Sequence, residues 1–290
     1  MATVHRALSG AVFAVLFSLG LFFRATQPLV PWIVCVATGL GVFEFVRLAE
    51  RKGAKAPSWL AAALGVWMVV ISYHGGLDGM SRFGCFTMAL AAAFLASFGL
   101  PLLRRNGIEN YISSASAMFA GILYVGLPMA MAMEILHGPG RMPHSRFLIL
   151  FALLTIWSTD IGAYFIGRRF GKRKMAPRLS PNKSVEGLIG GVAFTLAAAA
   201  LLKALWPGIG EAFLWPEALA LALVFSFVGV AGDLAESAMK RDAGVKDSGL
   251  DFTGHGGMLD IIDSLLYCMP LFYLHIKYIY PLLHPEAGAQ

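Results

Sequence analysis

Four acids in the carboxyl-terminal third of the chain are spaced so that they can act together. Asp233, Glu236, Ser237 and Lys240 follow one another at i, i+3, i+4 and i+7, which places them on one face of a helix. Asp260, Asp263 and Ser264 share a face in the same way. If the two helices are neighbours, their carboxylates converge from opposite sides. Oxygen ligands without a His or Cys cluster suit a hard cation such as Mg²⁺. On spacing alone, carboxylates at helix ends, neutralised by Lys240 and Arg241, are an equal alternative.

Basic and glycine residues nearby could hold an anion. Gly256 and Gly257 precede a helix start, where backbone amides and the helix dipole favour phosphate. Lys240, Arg241 and Lys246 lie just before them. A second basic loop carries seven Lys and Arg from Arg168 to Lys183, around the run Leu179-Ser180-Pro181-Asn182-Lys183-Ser184. It is bracketed by Asp160 and Glu186. Such a loop orients a membrane protein, but seven cations in 16 residues exceed that need and suit phosphate-rich ligands or anionic lipid headgroups. Gly167–Gly171 followed by Lys172 has the wrong spacing for a P-loop. Gly187, Gly190 and Gly191 read as helix-packing residues. Glu44 reads either as a structural residue at the membrane edge or as a lipid contact.

The elements that must position these groups are membrane helices. Of 290 residues, 58% are hydrophobic and 14% charged, with a mean hydropathy of +0.69. Soluble domains are about 25% charged, so an ordinary cytosolic enzyme, a disordered chain and a secreted disulfide scaffold are excluded. Cys35, Cys85 and Cys268 each stand alone in apolar runs, without zinc or disulfide spacing. About 20 apolar residues span a bilayer, and nine such runs occur, at 7–23, 29–48, 59–73, 84–103, 115–136, 147–166, 187–206, 216–239 and 258–280. The expected fold is an all-α polytopic integral membrane protein with about nine transmembrane helices. Residues 1–145 form an amino-terminal scaffold of five helices and 146–290 a catalytic part of four.

Lys and Arg give the orientation. The amino-terminal tail and the even-numbered loops hold 17 of the 23, the odd-numbered loops and carboxyl tail five. The amino terminus is therefore expected in the cytoplasm, the carboxyl terminus outside and the basic loops on the cytoplasmic side. The net charge of +6 reflects this bias and gives no reason to expect a nucleic-acid partner.

At these residues the sequence resembles the phosphatidate cytidylyltransferases, or CDP-diacylglycerol synthases. One matching block runs Ser237-Ala238-Met239-Lys240-Arg241, Lys246-Asp247-Ser248, Gly254-His255-Gly256-Gly257-Met258-Leu259-Asp260 and Asp263. The other runs Asp160-Ile161-Gly162-Ala163-Tyr164-Phe165-Ile166-Gly167-Arg168, then Phe170-Gly171-Lys172 and Ser180-Pro181-Asn182-Lys183-Ser184-Val185-Glu186-Gly187. Together they cover roughly residues 157–270. Two positions depart from the common pattern: Ile261 stands where many members have Arg, and Thr253 where many have Pro.

The resemblance implies the reaction CTP + phosphatidate → CDP-diacylglycerol + pyrophosphate, in phospholipid biosynthesis at a bacterial-type inner or plasma membrane. It implies Mg²⁺ on Asp233, Asp260 and Asp263, with a second cation as a variant. Catalytic roles carry over to Lys240, Arg241, Lys246, Asp247 and His255. Substrate contacts carry over to Asp160, Arg178, Ser180, Asn182, Lys183, Ser237, Gly256 and Gly257. CTP, phosphatidate and membrane lipid are the implied partners, and a homodimer is plausible for the family. The rival readings are a CTP-dependent polyprenol or dolichol kinase, an ion-coupled transporter, and an inactive paralogue suggested by Ile261.

Overall fold

A computed structural model describes residues 29–74, 82–103, 109–137, 144–249 and 257–285. In chain order the helices are α1 (Leu29–Glu50), α2 (Ser58–His74), α3 (Arg82–Gly99), α4 (Tyr111–Gly121), α5 (Leu127–His137), α6 (Ser145–Phe170), α7 (Val185–Leu205), α8 (Pro207–Ala212), α9 (Trp215–Asp242), α10 (Leu259–Leu274) and α11 (Tyr280–Leu283). Wider π-helical turns, Ile122–Gly126 and His275–Ile279, join α4 to α5 and α10 to α11. Pro128 explains the first. It has no N–H for the carbonyl four residues back, its ring crowds that carbonyl, and the chain widens just before it.

Seven helical segments among the described residues are long and apolar enough to cross a membrane, and Ser58–His74 is a shorter apolar helix. The chain is an integral membrane protein. Eight of the nine expected runs fall on described residues and are helical there; the run at 7–23 lies outside them. Large apolar side chains such as Trp32, Leu95, Ile189, Leu201 and Phe227 are exposed on the helices. Lipid can cover them at no hydrophobic cost.

Among the described residues the β structure is confined to a hairpin in the basic loop. Strand β1 (Lys174–Ala176) pairs antiparallel with β2 (Ser180–Ser184), with Lys174 opposite Ser184 and Ala176 opposite Ser180. Strands of three and five residues containing Pro181 are too short for an alternating pattern to announce them. The Glu186 carboxylate closes the hairpin by accepting the N–H groups of Lys172 at 3.0 Å and Arg173 at 3.1 Å. Ser184 caps α7 by accepting the Gly187 N–H at 3.1 Å.

The described residues form two compact units, one within Met1–Pro139 and Met239–Ile262, the other within Gly140–Ala238 and Asp263–Gln290. In the first, α1, α2 and the α4–α5 segment meet at small residues. A side chain at Gly65 would come within 2.8 Å of Val42, and one at Gly126 within 3.1 Å of the Gly65 backbone. In the second, α6 and α7 approach through Gly187 and Gly191, where a Cβ would meet backbone oxygens of Ala163 and Thr159 at 3.0 and 2.9 Å. The Thr159 and Thr195 hydroxyls share a hydrogen bond of 2.6 Å across the same seam. Close backbones and interhelical hydroxyl bonds are what hold helices together where lipid removes the hydrophobic drive.

Candidate active site

The second unit gathers the acids predicted from α9. Gly232 brings this helix against α10, since a Cβ there would lie 2.7 Å from the Asp263 carbonyl. The next residue, Asp233, Glu236 one turn on, and Asp263 consequently place carboxylate oxygens within 4.8 Å of one another. Glu236 and Asp263 are buried. Ser237 donates to Asp233 at 3.4 Å. Lys183, carried in by β2, forms an ion pair with Asp233. Asp160 on α6 lies within electrostatic reach of Asp233, Asp263 and Lys183. Three or four carboxylates facing one Lys leave an excess of negative charge in low dielectric. That charge and the all-oxygen donor set fit a hard divalent cation.

Arg178 lies at the turn of the hairpin and is exposed, as is Asn182; Ser180 is half-buried. The hairpin thus separates Lys183, turned to the acids, from Arg178, turned to the surface.

The first unit holds the remaining described site residues. Helix α9 ends by the expected chemistry: Lys240 and Arg241 occupy its last turn, and Gly244 adopts φ +73° so that Val245 N–H reaches the Lys240 carbonyl at 2.9 Å. Lys240 forms an ion pair with Asp260, in the first turn of α10. The second Asp260 oxygen accepts Gly257 N–H at 2.7 Å, Ser248 Oγ at 3.1 Å and Ser248 N–H at 3.4 Å. Gly257 is buried so tightly that a Cβ would strike Ser248 Oγ and lie 2.7 Å from Gly249 N. Arg241 donates to the Val245 carbonyl at 3.2 Å. Lys246 and Asp247 are exposed. His255 and Gly256 lie outside the described residues.

Of the two readings of Glu44 from the sequence, the contacts it makes are those of a structural residue. It is buried and accepts N–H groups from Met258 at 3.0 Å and Leu259 at 2.8 Å, and Ser248 Oγ at 3.3 Å. It is the cap of α10, supplied from α1.

Of the three residues expected to hold metal, Asp233 and Asp263 lie together, with Glu236 as their third carboxylate. Asp260 is engaged by Lys240, Ser248 and Gly257 in the other unit. Glu236 was visible in the sequence as a member of the Asp233 face. Glu44 had no local signal, because its partners come more than 200 residues later.

The model of the cytidylyltransferase family matches residues 4–279. Phosphatidate cytidylyltransferase of Bacillus subtilis is 33% identical over 93% of this chain and 96% of its own length. The protein of that name from Haemophilus influenzae is 33% identical over 92% and 96%. That from Pseudomonas aeruginosa is 35% identical over 88% and 90%. The chain belongs to the cytidylyltransferase family.

Proposed function

We propose that this protein is a phosphatidate cytidylyltransferase that converts CTP and phosphatidate into CDP-diacylglycerol and pyrophosphate for phospholipid biosynthesis. The observation that carries the reading is the near-full-length match to relatives of that name. The paired Lys183–Asp233 and Lys240–Asp260 clusters support it.

A phosphate oxygen of the lipid attacks the α-phosphorus of CTP, and the α–β phosphoanhydride bond breaks with its electron pair leaving on pyrophosphate. Phosphatidate is already ionised at neutral pH (second pKa about 6), so no general base is needed. The difficulty is bringing two anions together, which makes positioning and charge neutralisation the main tasks. Lys183 and Arg178 meet the lipid phosphate. Lys240, Arg241 and Lys246 grip the triphosphate, with Asp260 orienting Lys240 and Asp247 orienting Lys246. Gly256 offers an amide, and His255 a ring N–H, to the same anion, while the Gly257 N–H holds Asp260 in place; Asp160, Ser180, Asn182 and Ser237 line the substrate sites. Asp233, Glu236 and Asp263 would hold Mg²⁺. Such an ion supplies Lewis-acid neutralisation of phosphoryl charge.

In this reading the basic loops face the cytoplasm, with the amino terminus inside and the carboxyl terminus outside. The test is transfer of label from α-labelled CTP into lipid by the purified protein in mixed micelles with phosphatidate and Mg²⁺. Labelled CDP-diacylglycerol, lost with EDTA, is the expected result. Transfer from γ-labelled CTP to a polyprenol would make it a lipid kinase instead.

A further inference from the structure

The first unit contains a cavity of about 380 Å³ with a polar lining that carries three cations and two carboxylates. One wall is the carboxyl-terminal end of α1, with Glu44, Arg47 and Leu48, and Arg51 just after it; the other is the segment after α9, Val245, Lys246, Asp247, Ser248 and Gly249. Its volume lies in the range of small-molecule sites, about 300–1,000 Å³.

The charges inside are not equivalent. The Glu44 carboxylate is occupied by the N–H groups of Met258 and Leu259 and by Ser248 Oγ. It serves as a strut that fixes both ends of the stretch between Ser248 and Met258 to α1. Arg47 and Arg51 follow Glu44 at i+3 and i+7, so helical spacing brings them to the same face. Arg47 lies over the Phe43 ring at 5.8 Å and makes a 3.4 Å pair with Glu50 at an exposed position, neither of which ties it down strongly. Arg51 forms no side-chain ion pair among the described residues. Lys246 opens on the same space from the opposite wall.

We infer that this cavity takes the triphosphate of the nucleotide, with Arg47 and Arg51 as phosphate ligands beside Lys246. The inference rests on the cytidylyltransferase reading and deepens it, because it makes an amino-terminal helix part of the nucleotide site. Three cations reaching one space from two walls match a polyphosphate, which carries several anionic oxygens along its length. A lipid headgroup has the same phosphate chemistry but brings acyl chains, and only Leu48 and Val245 here are apolar. A water-soluble phosphate ligand therefore fits this cavity better than a lipid.

The test uses the full-length protein in mixed micelles and the variants R51Q, R51K and R47Q/R51Q. Binding of CTP and of pyrophosphate is measured directly without lipid, and KM values are measured for both substrates. R47Q/R51Q should weaken CTP and pyrophosphate binding and raise the KM for CTP at least 10-fold, with the KM for phosphatidate unchanged and R51K close to wild type. Should the double variant aggregate, R51Q carries the test with a several-fold shift in the same direction. Nucleotide and pyrophosphate binding equal to wild type would overturn the inference. So would a rise confined to the phosphatidate KM, which would assign the cavity to the lipid headgroup. If the wild type transfers nothing to phosphatidate, the functional reading fails. Loss of CTP binding in the double variant would then still establish the cavity as a nucleotide site.

Discussion

The Glu44 carboxylate and the backbone N–H of Leu259 lie 2.8 Å apart, although 215 positions separate them in the chain. A helix leaves its first four N–H groups without internal partners, and a nearby Ser, Thr, Asp or Asn normally accepts one. Gly257 and Met258 cannot do this for α10. Asp260 takes the N–H of Gly257, and Glu44 takes those of Met258 and Leu259. Two helices distant in sequence are thereby fastened where buried amides have no water to turn to.

Glu44→Ala should therefore cost stability as well as activity. Three charge-assisted hydrogen bonds disappear, and the loss should be on the order of 3 kcal/mol. The measurement is thermal unfolding in detergent, with Glu44→Gln retaining part of the loss because an amide accepts through only one oxygen. An unchanged melting temperature for Glu44→Ala would contradict the capping role.

Asp263→Asn should behave in the opposite way. It removes one of three carboxylates within 4.8 Å, and the repulsion among them falls. The expected outcome is a melting temperature equal to or above wild type and a loss of transfer of about 10²-fold or more, if a divalent cation is held there. Mg²⁺ titration would then show a higher requirement in the variant.

Asp260→Asn offers the contrast. Asp260 is the ion-pair partner of Lys240, with both side chains largely buried. Breaking such a pair leaves an uncompensated charge and typically costs about 3–5 kcal/mol. Turnover should be abolished and the protein should melt earlier, yet elute as a folded species on size exclusion. Near-normal turnover would remove Asp260 from the site.

Lys183→Ala should mainly impair lipid use. The phosphatidate concentration for half-maximal rate should rise at least 10-fold and the CTP requirement much less, as read from surface-dilution kinetics. Lys183→Arg keeps the charge opposite Asp233 and should recover part of the loss. An equal effect on both substrates would refute a lipid-phosphate role.

Glu217→Ala tests a stabilising cluster apart from this chemistry. Buried Glu217 accepts Leu214 N–H at 3.0 Å and is bridged at 2.8 Å by His275 and His284. It lies 16 positions before Asp233 on α9, about 24 Å along the helix. The variant should lose about 2–3 kcal/mol of stability with both KM values unchanged. A changed KM would tie the two ends of α9 together functionally.

How much of this the sequence disclosed follows from the range of each interaction. Membrane helices are legible because length and apolar composition are local, and all eight expected runs on described residues are helical. The convergence of Asp233 with Asp263 is legible from helical spacing, and the small residues of α7 announce its close seam with α6. The Ser180–Ser184 strand is hidden because its register depends on a three-residue partner and on Glu186 beyond it. Glu44 is hidden for a different reason: nothing near residue 44 specifies that its carboxylate will meet amides near residue 258. For the same reason Arg47 and Arg51 read in sequence only as topogenic charges.

The strut from Glu44 to α10 also has a consequence for biogenesis. Ribosomes deliver α1 to the membrane long before residues 258 and 259 are made, so Glu44 must wait through the insertion of every intervening helix before its acceptors are used. A chain halted before α10 carries Lys240, Arg241 and Lys246 but neither Asp260 nor the amides that Glu44 binds. The Lys240–Asp260 pair and the cap on α10 thus come into being only once α10 itself has been made, however early α1 is in place.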